Sequence, residues 1–417
     1  MEYRKLVEVT TLISRGVSPS YADSGTAVIN QRCIRDGRLS LREIRYQSVL
    51  KAPRTEKYLV PDDILVNSTG VGTLGRAAQF SEESGEFIAD SHVTIVRPHQ
   101  GEIDSIFLFY VIRLLETQII ELSTGSTGQT ELSKLALQEL LIPVPDRRLQ
   151  GCIATLMKSL DDRIELNRST ASTVESIAQT LFRSWFVDFD PVRAKMAGEK
   201  PAGMDDATAE LFPDSMEESE LGEIPAGWKV GDLGELCHLT MGQSPPGDAY
   251  NLSGEGLPFY QGRTDFGMRF PKTRMYSTLG NRKASPGDVL VSVRAPVGDL
   301  NQALEECVIG RGVAAVIHRS GSQAYSYSLM QSIQHRLEYF NGEGTVFGAI
   351  NKTDFSSIPL VEPPVELLNR FDELASPVNG LLRSLHEQSQ NLAATRDALL
   401  PRLISGELEV PEDLLVS

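Results

Sequence analysis

The chain has 417 residues, a formal net charge of −16 and four cysteines. That length is sufficient for two domains of about 140 residues with connecting helices. The cysteines are scattered with no Cys-x-x-Cys pair, which favours buried free thiols over a zinc site or a disulfide framework. The sequence contains no long apolar run and does not begin like a signal peptide, so we expect a cytoplasmic protein with no membrane partner.

Most of the negative charge lies in two segments. Residues 199–227 carry nine acidic residues and one lysine, and residues 406–417 carry four acidic residues and no basic one. We interpret residues 191–227 as an acidic, solvated linker and residues 407–417 as an acidic tail. The rest of the chain is close to neutral, so the net charge does not exclude nucleic acid as a partner.

Residues 1–145 are predicted to form a first domain that mixes strands and helices. Short apolar runs broken by turns, such as 58–66 and 92–96, predict strands. Residues 106–122 have apolar residues at helical spacing and precede a loop rich in Gly, Ser and Thr at 123–130.

Two long helices are predicted at residues 146–190 and 364–406. In the first, apolar residues alternate four and three apart from Ile153 to Trp185, which is the spacing of a coiled-coil seam. A second seam of equal length runs from Phe371 to Leu403. We expect the helices to pair antiparallel; the alternative is that each helix packs on its own domain. Asn167 interrupts the first seam, either to fix the register or as a solvated position.

Residues 228–363 repeat the first domain. Leu6 and Gly16 correspond to Leu233 and Gly242, and residues 132–145 match residues 350–363 at a constant offset of 218. The predicted fold class is therefore α+β, with two similar mixed α/β domains separated by an antiparallel two-helix coiled coil and related by a pseudo-two-fold axis.

No catalytic, metal or cofactor site is predicted. The segment 340–344 fits the Phe-x-Gly-x-Gly pattern of S-adenosylmethionine sites. No Asn/Asp-Pro-Pro-aromatic motif follows it, so a turn is the better interpretation. The chain has no phosphate-binding loop, and its histidines are not spaced as metal ligands.

Each domain contains one basic segment, at equivalent places in the repeat. Residues 28–58 carry eight basic and three acidic residues, and residues 259–294 carry seven and two. Arginine, lysine and glutamine bind phosphates and base edges, so these segments are candidate DNA contacts. A solvated charged face is the alternative, which the recurrence disfavours. The candidates are Gln31, Arg32, Arg35, Arg38, Arg42, Arg45, Gln261, Arg263, Arg269, Lys272, Arg274, Arg282 and Arg294.

An aromatic stripe ends the first long helix. Its members are Leu181, Phe182, Trp185, Phe186 and Phe189. Such a stripe is ordinarily core, but its size also predicts a docking patch for a partner.

The helix ends resemble a known family. Residues 181–192 (Leu-Phe-Arg-Ser-Trp-Phe-Val-Asp-Phe-Asp-Pro-Val) and 399–408 (Leu-Leu-Pro-Arg-Leu-Ile-Ser-Gly-Glu-Leu) are similar to the ends of the two conserved helical regions in specificity subunits of type I restriction-modification systems. Residues 123–145 are similar as well. The resemblance implies a non-catalytic subunit whose target recognition domains, at 1–145 and 228–363, bind double-stranded DNA. It also implies two methyltransferase subunits and two restriction (motor-nuclease) subunits as partners, which alone would bind S-adenosylmethionine and ATP.

Two similar domains related by a two-fold axis suit duplex DNA, which has the same symmetry. We therefore expect a bipartite target, with one half-site per domain. One alternative is a DNA adenine methyltransferase, which the missing motifs disfavour. The other is a protein-binding scaffold, which would not show the steep salt dependence of DNA binding.

Overall fold

The computed structural model describes residues 2–48, 55–82, 85–123, 130–341 and 348–410. The chain divides into two compact units, one formed by Met1–Leu166 with Ser389–Ser417 and the other by Asn167–Gln388. Both units mix helices and strands, which confirms the predicted mixed helix and sheet content. None of the helices in the described part of the chain is long and apolar enough to span a membrane.

The first unit is built on a four-stranded antiparallel sheet with helices on one face. Its strands, in spatial order, are Thr10–Arg15, Val93–Pro98, Ile64–Asn67 and Ala77–Gln79. The helices of this domain are Ser105–Leu114, Glu116–Glu121 and Lys134–Gln138, and the 3-10 helix Leu6–Val9 precedes the first strand.

A smaller sheet covers the other face. Its strands, in spatial order, are Phe87–Ala89, Thr26–Ile29, Arg45–Gln47 and Tyr21–Ala22, and the first two are parallel. The interior strand Ile64–Asn67 of the main sheet is buried on both sides. Ile64 and Val66 lie in the core with the helices, whereas Leu65 packs with Ile29 of the smaller sheet. That two-sided burial is the reason for its unbroken apolar run.

Short elements complete the first domain. Strands pair as Tyr3–Lys5 with Leu141–Pro143 and as Ile34–Arg35 with Arg38–Leu39. The remaining 3-10 helices are Gln31–Cys33, Leu41–Glu43 and Thr55–Lys57.

The second unit repeats this fold. Its main sheet has the order Cys237–Met241, Val313–His318, Val289–Val293 and Val297–Gln302. The associated helices are Leu233–Leu236, Gln323–Ser332, Gln334–Glu338 and Lys352–Ser356. The smaller sheet contains Tyr250–Asn251, Tyr276–Ser277, Leu257–Tyr260, Cys307–Ile309 and Lys283–Ala284, and Lys229–Asp232 pairs with Pro359–Glu362. Its 3-10 helices are Gly247–Ala249, Arg263–Asp265 and Tyr339–Asn341.

The repeat extends to helix caps. Asp104 caps Ser105–Leu114 by accepting a hydrogen bond from the Phe107 amide, and Ser322 caps Gln323–Ser332 in the same way. An N-cap side chain satisfies an amide that the helix itself leaves unpaired. The sequence match between the two halves therefore reflects matched local structure.

Gly16 and Gly242 occupy equivalent positions where only glycine fits. A Cβ atom at Gly16 would lie 2.1 Å from the carbonyl oxygen of Ala89, and one at Gly242 would lie 2.2 Å from that of Gly310. Both contacts are far inside van der Waals distance with backbone atoms, which cannot rotate away. Close approach of two backbone segments explains why this glycine appears in both halves.

Two long helices, Arg147–Phe186 and Val365–Ser405, contribute to both units. In the second unit Ala171 shares a core with Leu385, while Phe186 packs on Phe371 with ring centres 5.4 Å apart. Later residues of the first helix thus meet earlier residues of the second, which is antiparallel packing. Asn167 is buried, so it is not a solvated position.

The interpretation of residues 191–227 as a solvated linker is wrong. This segment contains the helices Asp190–Met196 and Asp206–Glu210 and the hairpin of Met216–Ser219 with Gly222–Pro225. Val192, Phe212 and Ile224 are buried in the core of the second unit. The acidic residues lie between these apolar positions, and a charge count does not register the apolar residues that hold the segment in place.

Candidate nucleic-acid interface

The two basic segments contain equivalent 3-10 turns, Gln31–Cys33 in the first unit and Arg263–Asp265 in the second. Each turn comes shortly after a strand of the smaller sheet that pairs in parallel with a later strand. The amide of Asp90 donates to the carbonyl of Ile29 just before the first turn, and the amide of Gly310 donates to that of Tyr260 just before the second. The basic segments therefore occupy the same place in the two folds.

Loops from separate parts of the first domain meet beside the turn at Gln31. Asn67 Nδ2 donates to the Gln31 carbonyl at 3.2 Å. Thr69 Oγ1 lies 2.7 Å from His92 Nδ1, and Thr69 also forms an isolated β-bridge with Glu131. We call this surface, formed by residues 30–33, 67–73, 90–92 and 131, the loop end of the first unit.

The second unit has an equivalent loop end, formed by residues 261–263, 294–296, 310–312 and 349. A Cβ atom at Gly312 would lie 2.3 Å from the Gln261 carbonyl oxygen, so these two loops are in contact. Arg294 forms an isolated β-bridge with Ala349, as Thr69 does with Glu131 in the first unit. The fold thus brings the same four loops together twice.

Several predicted contacts in the first unit are available for an anionic ligand. Arg32, Arg35 and Arg42 are exposed and form no ion pair with any residue that the structure describes. Arg45 is exposed with its guanidinium carbon 3.4 Å from the centre of the Tyr21 ring, a cation–π contact that leaves the N–H edge of the guanidinium accessible.

Gln31 is less accessible than the sequence suggested. Its side-chain oxygen is buried and has no hydrogen-bond donor among the described residues. A Cβ atom at Gly70 would lie 2.8 Å from this oxygen, so the carboxamide faces the neighbouring loop. Gln31 therefore packs within the loop end rather than projecting from it.

Arg38 contacts the first long helix. It forms an ion pair with Glu165, and its Nη2 donates to the Asp161 carbonyl oxygen at 3.0 Å. The Arg38 guanidinium is thus engaged by the helix, unlike those of Arg32, Arg35 and Arg42, and its role as a DNA contact stays a prediction.

Arg269 is an internal residue of the second unit, 6% exposed. Its Nη1 lies 2.9 Å from Glu175 Oε1, its Nη2 donates to Asn379 Oδ1 at 2.7 Å, and its guanidinium carbon is 3.1 Å from the Tyr327 ring centre. The prediction that Arg269 contacts DNA is wrong, since its guanidinium is buried among the side chains of Glu175, Asn379 and Tyr327, where DNA cannot reach it.

The other candidates of the second unit are exposed. Arg263 Nε lies 2.8 Å from Asp299 Oδ2, and Arg274 Nε donates to Asp265 Oδ1 at 3.1 Å. Arg263 and Asp299 are 60% and 32% exposed, so a phosphate can compete for Arg263. Arg274 is itself 59% exposed, but the Asp265 carboxylate with which it pairs is buried. The remaining exposed candidates are Gln261, Lys272, Arg282 and Arg294.

Sequence reasoning missed two residues of the loop ends, His92 and Arg311. Arg311 is exposed and forms no ion pair with a described residue. Neither residue lies in a basic segment, so counting charge over a window cannot detect them. Only the position of Arg311 after the strand Cys307–Ile309, which pairs with the strand before Gln261, places it at the interface.

A buried carboxyl group also lies at the first loop end. Burial raises the pKa of Asp90, and its Oδ1 accepts a hydrogen bond from the His92 amide at 2.8 Å. A raised pKa reduces the cost of protonating this group when a polyanion approaches.

The aromatic stripe is core rather than a docking patch. Phe182, Trp185, Phe186 and Phe189 are all buried, and Leu181 packs against the same core. The rings of Tyr325, Phe371, Phe212 and Trp228 cover the stripe. The docking prediction is wrong, because the second domain and the folded segment after the first long helix already bury these side chains.

In the part of the chain that the structure describes, no group of three or more His, Cys, Asp or Glu side chains is arranged to hold a metal ion. The second loop end instead presents the exposed guanidinium groups of Arg263, Arg294 and Arg311, and the first presents that of Arg32 beside the Thr69 hydroxyl and the His92 imidazole. Such groups can bind phosphates and base edges.

Comparisons with known proteins agree with this chemistry. The family model described as the type I restriction modification DNA specificity domain matches residues 1–176. The chain is 25% identical over 422 residues to a putative type I restriction enzyme MjaX specificity subunit of Methanocaldococcus jannaschii, covering 98% of this chain and 94% of that protein. It is 25% identical over 408 residues to the type I restriction enzyme HindI specificity subunit of Haemophilus influenzae, covering 85% and 88%.

A crystal structure of a type I restriction-modification S subunit from M. genitalium has a similar fold, with a TM-score of 0.50 and 14% identity over 96% of this chain and 95% of that chain. The resemblance that the helix ends carry is thereby confirmed: residues 1–176 match a type I restriction modification DNA specificity domain, and the chain as a whole is a relative of type I restriction enzyme specificity subunits.

Proposed function

We propose that this chain is the DNA recognition subunit of a type I restriction-modification complex and has no catalytic role of its own. One observation carries the proposal: the same α/β fold occurs twice, with exposed cations at or beside equivalent loop ends. Two equivalent readers suit a target made of two half-sites on duplex DNA.

In this proposal the target recognition domains are residues 1–145 and 228–363. Arg32, Arg35 and Arg42 read or hold one half-site, and Arg282, Arg294 and Arg311 the other. These side chains are exposed and unpaired among the described residues, so binding DNA breaks no existing ion pair. Ser-, Thr- and His-bearing loops beside them supply further hydrogen-bond donors.

The long helices have a separate role. Their halves pack antiparallel within the second unit, and each helix has about 40 residues. We propose that the helix pair separates the two domains and sets the gap between the half-sites.

Methyltransferase subunits need a surface other than the buried aromatic stripe. Ile177, Leu374 and Leu381 are 61%, 42% and 43% exposed and each directly precedes a seam residue, Ala178, Ala375 or Leu382. Residues that share this heptad position lie on the same side of an antiparallel helix pair. We propose that this apolar side receives a methyltransferase subunit, with restriction subunits joining the complex that results.

The decisive experiment is to map methylated adenines in DNA exposed to the chain together with its methyltransferase subunit. The expected motif has two parts and a constant gap. Replacing residues 1–145 by the equivalent domain of a relative should change one half of the motif only. A change in both halves would contradict one half-site per domain.

Two controls address the alternatives. If the pure chain transfers methyl groups without a partner, it is a methyltransferase in its own right. If it binds no DNA at low salt, it is a protein-binding scaffold. The proposal expects neither result, and expects affinity to fall steeply with rising salt, because phosphate contacts release bound counterions.

Substitution of Arg32, Arg35 or Arg42 by alanine should separate base from phosphate contacts. Loss of a base contact costs about 1–3 kcal/mol and relaxes specificity at one position. Loss of a phosphate contact weakens binding to all sequences. It also reduces the slope of log affinity against log salt concentration by about one. If all three variants bound DNA as the wild type does, the segment 28–58 would be a solvated charged face and not a DNA contact.

A further inference from the structure

Two arginines of the basic segments reach equivalent positions on the two long helices. Arg38 and Arg269 are separated by 231 residues, which is also the separation of Ile29 and Tyr260, the carbonyl acceptors that precede the two turns. Arg38 donates to Asp161 and Arg269 donates to Asn379, and these helix positions differ by the 218 residues that relate the two helices. The same contact between basic segment and helix is therefore built twice.

In the first unit the contact is part of a larger cluster around Asp161. The Asp161 carboxylate accepts a hydrogen bond from Tyr110 at 2.7 Å, lies 3.1 Å from Arg113 Nη1, and forms an ion pair with Arg396 of the second long helix. Burial opposes the charge on Asp161, but the hydrogen bond from Tyr110 and the two guanidinium groups outweigh it and lower its pKa. The carboxylate is therefore a charged junction between the first domain and both helices.

The second unit has an equivalent junction around Glu175. Its Oε1 lies 2.9 Å from Arg269 Nη1 and accepts a hydrogen bond from Gln331 at 3.2 Å. Gln331 follows Arg113 by the same 218 residues. Although the residue types differ, each junction joins one arginine of a basic segment, one domain helix and the long helices.

The segments that these arginines hold have little regular structure of their own. The hairpin with Arg38 consists of two strands of two residues each, Ile34–Arg35 and Arg38–Leu39. At the hairpin turn, a Cβ atom on Gly37 would lie 2.7 Å from the guanidinium carbon of Arg113, so the turn is already pressed against the junction. Charge-assisted hydrogen bonds from a rigid guanidinium fork are well suited to fix the position of such a segment.

We propose that Arg38 and Arg269 are positioning residues that determine which gap between half-sites the complex accepts. Each holds its basic segment against the long helices and does not itself touch DNA. The place of the DNA-reading side chains relative to the helices then depends on these contacts. This inference rests on the proposed function, because it requires a two-part target.

The first unit provides the test, since Arg38 and Glu165 are 27% and 60% exposed and their separation should not unfold the protein. Arg38→Met and Glu165→Ala would each be assembled with the methyltransferase subunit. Methylation rates would be measured on DNA with the native gap and with gaps one base pair shorter and longer. Both variants should raise the ratio of altered-gap to native-gap methylation by about tenfold, with unchanged half-site sequences.

Matched controls lie beside both residues. Arg35 is opposite Arg38 in the hairpin and exposed, so Arg35→Met removes the same charge and should lower methylation equally at all gaps. Asp162 is exposed on the same helix and pairs with Lys158, so Asp162→Ala removes the same charge as Glu165→Ala and should leave the gap preference unchanged.

The outcomes separate the possibilities. If Arg38 contacts DNA directly, Arg38→Met will behave like Arg35→Met while Glu165→Ala leaves methylation intact, and the inference is overturned. An unchanged gap ratio in both variants also overturns it. Should Arg38→Met fail to fold, Glu165→Ala decides alone. Failure of the proposed function would look different, because the wild-type complex would then mark no two-part motif.

Discussion

Phe186 tests whether the aromatic stripe is core or docking surface. Its side chain is 8% exposed, and its ring centre lies 5.1 Å from that of Phe182, 5.4 Å from those of Tyr325 and Phe371, and 6.0 Å from that of Trp228. Truncating a buried phenylalanine to alanine costs about 3–5 kcal/mol through lost burial and the remaining cavity. The Trp185 ring centre is also 6.0 Å away, so five aromatic rings surround Phe186. We expect Phe186→Ala to destabilise the second unit by about 4 kcal/mol.

Tryptophan fluorescence provides the assay. The two tryptophans of the chain, Trp185 and Trp228, both lie in the core of the second unit, so their emission during urea unfolding reports that unit. If the free energy of unfolding falls by about 3 kcal/mol per molar urea, the urea concentration at the unfolding midpoint should fall by about 1.3 M. Val187→Ala is the control, since Val187 is 44% exposed and its truncation should change stability by less than about 0.5 kcal/mol.

One result would refute the core assignment. If Phe186→Ala unfolded at the wild-type urea concentration but no longer bound the methyltransferase subunit, the stripe would be the docking surface that the sequence suggested. Loss of both stability and binding would leave the core assignment intact, because a partner cannot bind an unfolded unit.

Three further predictions concern other parts of the molecule. Burial lowers the pKa of His318 to about 4, so the folded protein keeps this side chain neutral whereas the unfolded chain protonates it near pH 6.5. The contribution of the buried His318 to the free energy of unfolding is therefore complete above pH 6.5 and decreases by up to about 3 kcal/mol as the pH falls to 4. Urea unfolding across this range should show a weaker pH dependence in His318→Gln than in wild type, and equal slopes would contradict the assignment. Gly242→Ala should destabilise the second unit by about 3 kcal/mol in the same assay, whereas Gly247→Ala, where a Cβ meets nothing within 4 Å, should be nearly neutral; similar losses would argue against the close approach. Inserting seven residues after Ala171 and another seven after Ser389 keeps both seams in phase and lengthens the helix pair by about 10.5 Å. The gap in the methylated motif should then grow by about three base pairs. An unchanged gap would mean that the partner subunits position the domains.

Periodicity and repetition were readable from the sequence because they depend on local rules. The long helices run Arg147–Phe186 and Val365–Ser405, close to the predicted 146–190 and 364–406, since an apolar residue every three or four positions marks the buried side of a helix. Gly16 and Gly242 were also found by repetition, although the reason for them is tertiary: each lies against a backbone segment distant in the chain, at Ala89 and Gly310, and no other residue fits there.

Charge and aromatic content were less informative about location. The acidic segment 191–227 is folded, and the aromatic stripe is buried. In both cases the partner side chains come from distant parts of the chain: Arg370 pairs with Asp205, and Phe371 packs on Phe182. A window of sequence does not contain those partners, so it cannot distinguish an exposed group from a covered one.

Arg35 and Arg38 show most clearly what the sequence determines and what the tertiary structure decides. Sequence alone determined that each half carries a basic segment at an equivalent place, because composition and register are properties of the chain. Only the tertiary structure decided that Arg35 remains exposed while Arg38 binds a helix residue more than 120 positions away. The physical reason is that a guanidinium takes whichever anion or carbonyl the fold brings within hydrogen-bond distance, and long-range packing sets that distance.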